Sequence, residues 1–197
     1  MTKKEIIWRE ILFQAIEKKK KQFTQKELAA QFGFSLSTVF NALKIPRQSE
    51  AIRVTGRYFS IVDAEKFLNI WATFRKLKND IIYQTHCDLS VREIENLMPP
   101  GIIFGGFSAF LKKYKEAPAD YDKIYIYASQ EQIKEIKKRF PPKKGYENLI
   151  ILNSDSLLAQ FGQITPDVQI YVDLWNLGEW YAKDFLKALK EKMFPNS

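Results

Sequence analysis

The chain has 197 residues, 46% of them hydrophobic, and a net charge of +8 from 31 Lys and Arg against 23 Asp and Glu. That length and apolar content suffice for one or two cored domains and exclude wholesale disorder, and no apolar run approaches the ~18 residues needed to cross a bilayer. One Cys excludes an internal disulfide, and Cys87 with His86 is too small a set for a Cys/His zinc site, so a soluble, metal-independent protein of the reducing cytoplasm is expected, with no cofactor.

The opening MTKKEIIWRE returns to charge before a secretory apolar core could form, so no signal peptide is expected. Ile6, Ile7, Ile11, Leu12, Ala15 and Ile16 recur at helical spacing and predict an amphipathic helix over 3–19. Thr24 with Glu27 forms the signature of a capping box for a second, short helix whose buried face is Leu28, Ala29 and Phe32. Gly33 stands where a helix end needs positive φ. Ser35 then caps a third helix carrying Leu36, Val39, Phe40 and Leu43, which is expected to stop before Pro46. Two strands, 51–54 and 58–62, follow and are joined through Thr55-Gly56-Arg57 as a tight hairpin. Helix, helix-turn-helix and hairpin in that order spell a winged helix.

Asp63 caps a fourth helix with Phe67, Leu68, Trp71, Phe74 and Leu77 on its apolar side. Beyond residue 80, helices are predicted at 91–98, 106–114, 130–140 and 180–193, and strands at 123–128, 149–153 and 168–174. Alternating elements of that kind suggest a small α/β domain. The predicted architecture is thus α/β (α+β): a winged helix-turn-helix over 1–62, a linking helix over 63–79 and an α/β domain over 80–197.

The charge is unevenly spread. Residues 1–60 hold twelve cations and five acids, a net +7, whereas the other 137 residues carry 19 positive and 18 negative charges. Such asymmetry points the N-terminal third at a polyanion, with double-stranded DNA the expected partner and no membrane. In QKELAAQFGFSLSTVFNALK, Ala29 is small where the next helix crosses, Gly33 turns, and Leu28, Phe34, Val39 and Leu43 fill the space between helices. That leaves Ser35, Ser37, Thr38, Asn41 and Lys44 as the outward positions of the helix that enters the major groove in this motif. Hydroxyls bond phosphates or base edges, and Asn pairs bidentately with adenine. Arg53 and Arg57 of the wing, with the run Lys18, Lys19, Lys20 and Lys21, are expected on phosphate or in the minor groove.

The winged helix, then DAEKFLNIWATFRKL, then the α/β stretch ending VQIYVDLWNLGEWYAKDFLKALKEK, together resemble the AbiEi-type antitoxins of type IV toxin–antitoxin systems. The resemblance covers essentially the whole chain. It implies that the winged helix binds inverted repeats in its own promoter and represses it, as a dimer or paired monomers. It also implies that the C-terminal domain counteracts a cognate nucleotidyltransferase-like toxin. The residues it carries over are Ser35, Ser37, Thr38, Asn41, Lys44 and Arg57.

An enzymatic alternative rests on Phe104-Gly105-Gly106-Phe107-Ser108, Asp120-Tyr121-Asp122 and Asp173. A small metal-dependent nucleotidyltransferase uses a glycine turn for phosphate and three carboxylates for a divalent cation. Against it, Asp120 and Asp122 fall in a loop-like PADYDK segment, and no clear strand leads into the Gly-Gly pair. The expectation is therefore that the chain is not an enzyme and has no catalytic or metal residues. Cys87 reads as a mostly buried thiol, and Trp175, Trp180 and Tyr181 as core between the last strand and helix, with a protein interface as the second reading.

Overall fold

A computed structural model describes residues 1–195 and shows a mixed α/β chain that divides between Arg75 and Lys76 into two compact units. The N-terminal unit begins with α1 (Lys3–Ile16), which Thr2 caps in a reciprocal box with Glu5. This helix ends earlier than its predicted span of 3–19, because Lys19 takes a positive φ of 60° and the chain turns away within the run of four lysines. A two-residue strand that the sequence pattern did not suggest, β1 (Gln22–Phe23), leads into α2 (Gln25–Phe32) and α3 (Leu36–Gln48). The hairpin β2 (Ile52–Thr55) and β3 (Tyr58–Ile61) follows, then α4 (Ala64–Phe74).

Local chemistry explains these boundaries. Thr24 and Glu27 satisfy each other's backbone N–H groups at the start of α2, and Gly33 closes it in the left-handed region at φ 63°. Gly56 takes φ 60° as the first of two loop residues between the paired Thr55 and Tyr58. The sheet order is β1-β3-β2, with Gln22 opposite Ser60 and Phe23 opposite Phe59, whose rings stack at 5.5 Å. Three helices and a three-stranded sheet with this order and pairing form a winged helix-turn-helix.

Helix α3 runs through Pro46 rather than stopping before it. Proline has no N–H for the carbonyl four residues back, here that of Ala42. The indole N–H of Trp8 supplies the missing donor, bonding the Ala42 carbonyl at 2.7 Å. Trp8 is fully buried and also meets Phe67 and Phe74 of α4 edge-on at 5.8 and 5.9 Å. The helix expected over 63–79, either packed on the winged helix or linking it to the second half, ends at Phe74 and packs on α1. A buried ion pair joins its end to the start of α1, Arg75 Nη1 to Glu5 Oε1 at 3.4 Å.

The C-terminal unit holds a four-stranded sheet, β4 (Ile81–Thr85), β5 (Ile103–Gly105), β6 (Ile124–Ala128) and β7 (Leu149–Asn153), in the order β4-β7-β6-β5. β6 and β7 are parallel, while both outer strands run antiparallel to their neighbours. The helices are α5 (Val91–Asn96), α6 (Gly106–Tyr114), α7 (Gln130–Arg139), α8 (Asp167–Trp175) and α9 (Ala182–Met193). Neither β4 nor β5 was expected from the sequence.

The strand predicted at 168–174 is instead α8. All residues from Asp167 to Leu174 are buried, against α6, α9 and β5. A helix enclosed on every side shows no polar face, so its 3.6-residue period is invisible in the sequence. Two of its polar residues, Gln169 and Asp173, lie four apart on one face and both reach the Tyr127 hydroxyl, at 2.9 and 2.7 Å.

Candidate nucleic-acid interface

In the N-terminal unit the outer face of α3 is built from its capping outward. Ser35 Oγ accepts the Thr38 N–H at 3.2 Å and lies 2.9 Å from the hydroxyls of both Ser37 and Thr38. Three hydroxyls therefore meet at the N-terminus of a thirteen-residue helix, where the helix dipole favours an anion. Ser35, Ser37, Asn41 and Lys44 are exposed, while Thr38 is half-buried. Ser35 spends its oxygen on the cap, so Ser37 and Asn41, four residues apart on one stripe, are the better placed to meet a base edge.

Two of the apolar residues that mark this helix in the sequence belong to this surface. Leu36 is 55% exposed and Phe40 is 47% exposed, with the Lys44 ammonium 5.6 Å from the Phe40 ring centre. Helical spacing groups them with Val39 and Leu43, yet α1 and α2 cover only the side that holds Val39, Ala42 and Leu43. Exposed apolar groups on such a helix suit thymine methyl contacts. Arg47 and Gln48 extend the polar part of the same helix and are exposed as well.

The wing presents Arg53 and Arg57, both exposed, with Val54 and Tyr58 beside them. Lys18, Lys19, Lys20 and Lys21 are all exposed in the segment between α1 and β1. That segment is anchored on the wing sheet, because the Ile61 N–H donates to the Lys21 carbonyl at 3.2 Å. Lys20 lies 3.9 Å from Glu27 and over the Phe23 ring, and Lys18 over the Phe13 ring. The Thr24 cap holds the Glu27 carboxyl below its ordinary range, with Lys20 adding to the effect. The sheet thus brings the lysine run and the wing arginines onto one small scaffold, although they are more than 30 positions apart in sequence.

In the C-terminal unit, β5 does lead straight into Gly105-Gly106 and α6, which corrects the expectation that no strand precedes that pair. Ser108 is fully buried within α6. Asp120 and Asp122 lie in the loop before β6, and Asp122 Oδ1 accepts the Tyr181 hydroxyl at 2.6 Å. Asp173 is buried on α8, bonded by Tyr127 and Gln169. Among the described residues no three His, Cys, Asp or Glu side chains are grouped to hold a metal ion. Both ring nitrogens of His86 are engaged, Nδ1 at 2.8 Å from the Tyr146 carbonyl and Nε2 at 2.9 Å from Asp88, and the Cys87 thiol is half-buried. Of the three aromatics expected in the core, only Tyr181 is there; Trp175 is 44% and Trp180 76% exposed.

Among the described residues no helix is long and apolar enough to cross a membrane. Comparisons with family models, curated proteins and solved structures return no match. The class of the N-terminal unit therefore rests on its own topology, that of a winged helix-turn-helix.

Proposed function

We propose that the chain is a DNA-binding transcriptional regulator whose N-terminal unit seats α3 in the major groove. In this reading Ser37, Asn41 and Phe40 face base edges, while Lys44, Arg53, Arg57 and Lys18–Lys21 contact phosphates. One observation carries it: an outward helix face of hydroxyl, amide and ammonium groups stands on the same winged scaffold as two exposed wing arginines and an exposed run of four lysines. Phosphate contacts then set affinity and salt dependence, and base contacts set sequence preference. The resemblance to AbiEi-type antitoxins extends the proposal to autorepression at inverted repeats, with a nucleotidyltransferase-like toxin as the cognate partner.

A fluorescence-anisotropy titration of the whole protein against its own upstream duplex and a scrambled one, at two salt concentrations, tests this. Preference for the upstream duplex that persists at the higher salt is the expected result. Equal affinity for both duplexes, lost together as salt rises, would reduce the surface to a non-specific basic patch.

A further inference from the structure

The C-terminal unit contains a cleft that DNA binding by the other unit does not use. On one face of its sheet, α8 covers Tyr127, while Tyr125, Ile150 and Gln84 form a row across β6, β7 and β4. A cavity of about 610 Å³ opens over that row. Such a volume suits one nucleotide-sized molecule.

Glu179 lines this cavity with a side chain only 9% exposed. Its Oε1 accepts the Tyr125 hydroxyl at 3.0 Å and the Lys123 ammonium at 2.8 Å. Its Oε2 is buried with no hydrogen-bond partner. No protein group donates to this oxygen, so an N–H that enters the cleft meets an open acceptor there. Burial alone pulls the Lys123 ammonium down, and the hydrogen bond and charge of Glu179 more than offset this, raising it above its ordinary value. Burial, reinforced by Glu179, pushes the Tyr125 hydroxyl up, so it stays a donor.

The entering donor has a definable chemistry. Lys123 already balances the charge of Glu179, so a second cation gains little there, whereas a neutral N–H gains a charge-assisted bond. Trp180 and Tyr146, exposed by 76% and 56%, line the same cleft and offer ring faces for stacking. The ammonium beside the open carboxylate oxygen sets a donor next to an acceptor. Guanine answers with O6 for the first and two adjacent N–H groups for the second, where adenine has one. Lys78, also in the lining, provides a cation for a 5′-phosphate.

We propose that this cleft binds a guanine mononucleotide, with Glu179 and Lys123 holding the edge of the base and Trp180 stacking on its ring. Calorimetric titration of the full chain with GMP, AMP and agmatine tests it. GMP is expected to saturate with a Kd at or below about 1 mM, and AMP to bind at least about tenfold more weakly. Glu179→Gln and Trp180→Ala should each weaken GMP by about tenfold or more. Trp180 is so exposed that its replacement leaves the melting temperature in place, which keeps the test meaningful if Glu179→Gln disturbs folding. Equal binding of GMP and AMP, preference for agmatine, unchanged GMP affinity in Trp180→Ala, or no saturation by GMP would each overturn the proposal.

Discussion

Replacing Trp8 with Phe should destabilise the N-terminal unit chiefly through a single carbonyl. The indole N–H is the donor that reaches Ala42 O, at 2.7 Å in a buried setting, and Pro46 offers none. Phe keeps most of the edge-on packing against Phe67 and Phe74 but leaves that oxygen unmet, which costs about 1–3 kcal/mol. With a urea slope of about 1–3 kcal/mol/M, the midpoint should fall by roughly 1 M. The decisive variant is the double one. In a Pro46→Ala background the new N–H sits four residues after Ala42 and can bond its carbonyl, so Trp8→Phe should cost about 1–3 kcal/mol less there than in the natural chain. Urea unfolding followed by circular dichroism on the four proteins yields that coupling. Equal cost of Trp8→Phe in both backgrounds would show that the indole bond does not stand in for the proline's missing one.

Other expectations are equally direct. Asn41→Ala should relax sequence preference by about 1–3 kcal/mol at one base pair in a competition assay. Lys44→Ala should weaken binding to all duplexes and lower the salt slope by about 1. Asp88 accepts from Lys143 first and His86 second, and these hold its carboxyl below the ordinary Asp range. A lowered folded-state value stabilises above the unfolded one, so the advantage of the natural chain over Asp88→Asn should exist at neutral pH. It should vanish as pH falls below about 3.9 and through the folded value, as melting curves across that range will record. Tyr127→Phe removes the hydroxyl shared by Asp173 and Gln169 and should lower stability by about 1–3 kcal/mol in chemical denaturation.

The helix-turn-helix was readable because its punctuation is local. Thr24 with Glu27, Gly33, Ser35 and Gly56 each act through backbone groups within about four residues, and each does what its residue type predicts. Candidate residues Asn41 and Lys44 are exposed because they fall opposite the stripe of Val39, Ala42 and Leu43, and Arg57 because it sits in the two-residue turn of the hairpin. Leu36 and Phe40 help to mark α3 in the sequence but are exposed, since which apolar residues a helix buries depends on how far its neighbours reach. Short strands escaped notice for want of pattern: β1 has two residues and β5 three, and both exist through pairing with β3 and β6.

Residues far apart in sequence were brought together only by folding. Pro46 predicts a helix end from its own chemistry, and a tryptophan 38 positions earlier in the numbering overrides it by supplying the absent donor. VQIYVDL alternates like a strand, and enclosure by α6, α9 and β5 makes it a helix whose bonds are satisfied within itself. Glu179 looks like an ordinary loop acid until Lys123 and Tyr125 close on one of its oxygens and leave the other unmet. Caps, turns and charge excess were thus written into the chain because they act over a few residues. Exposure, donor supply and cavity were decided by tertiary contacts, because each depends on groups that no local stretch contains.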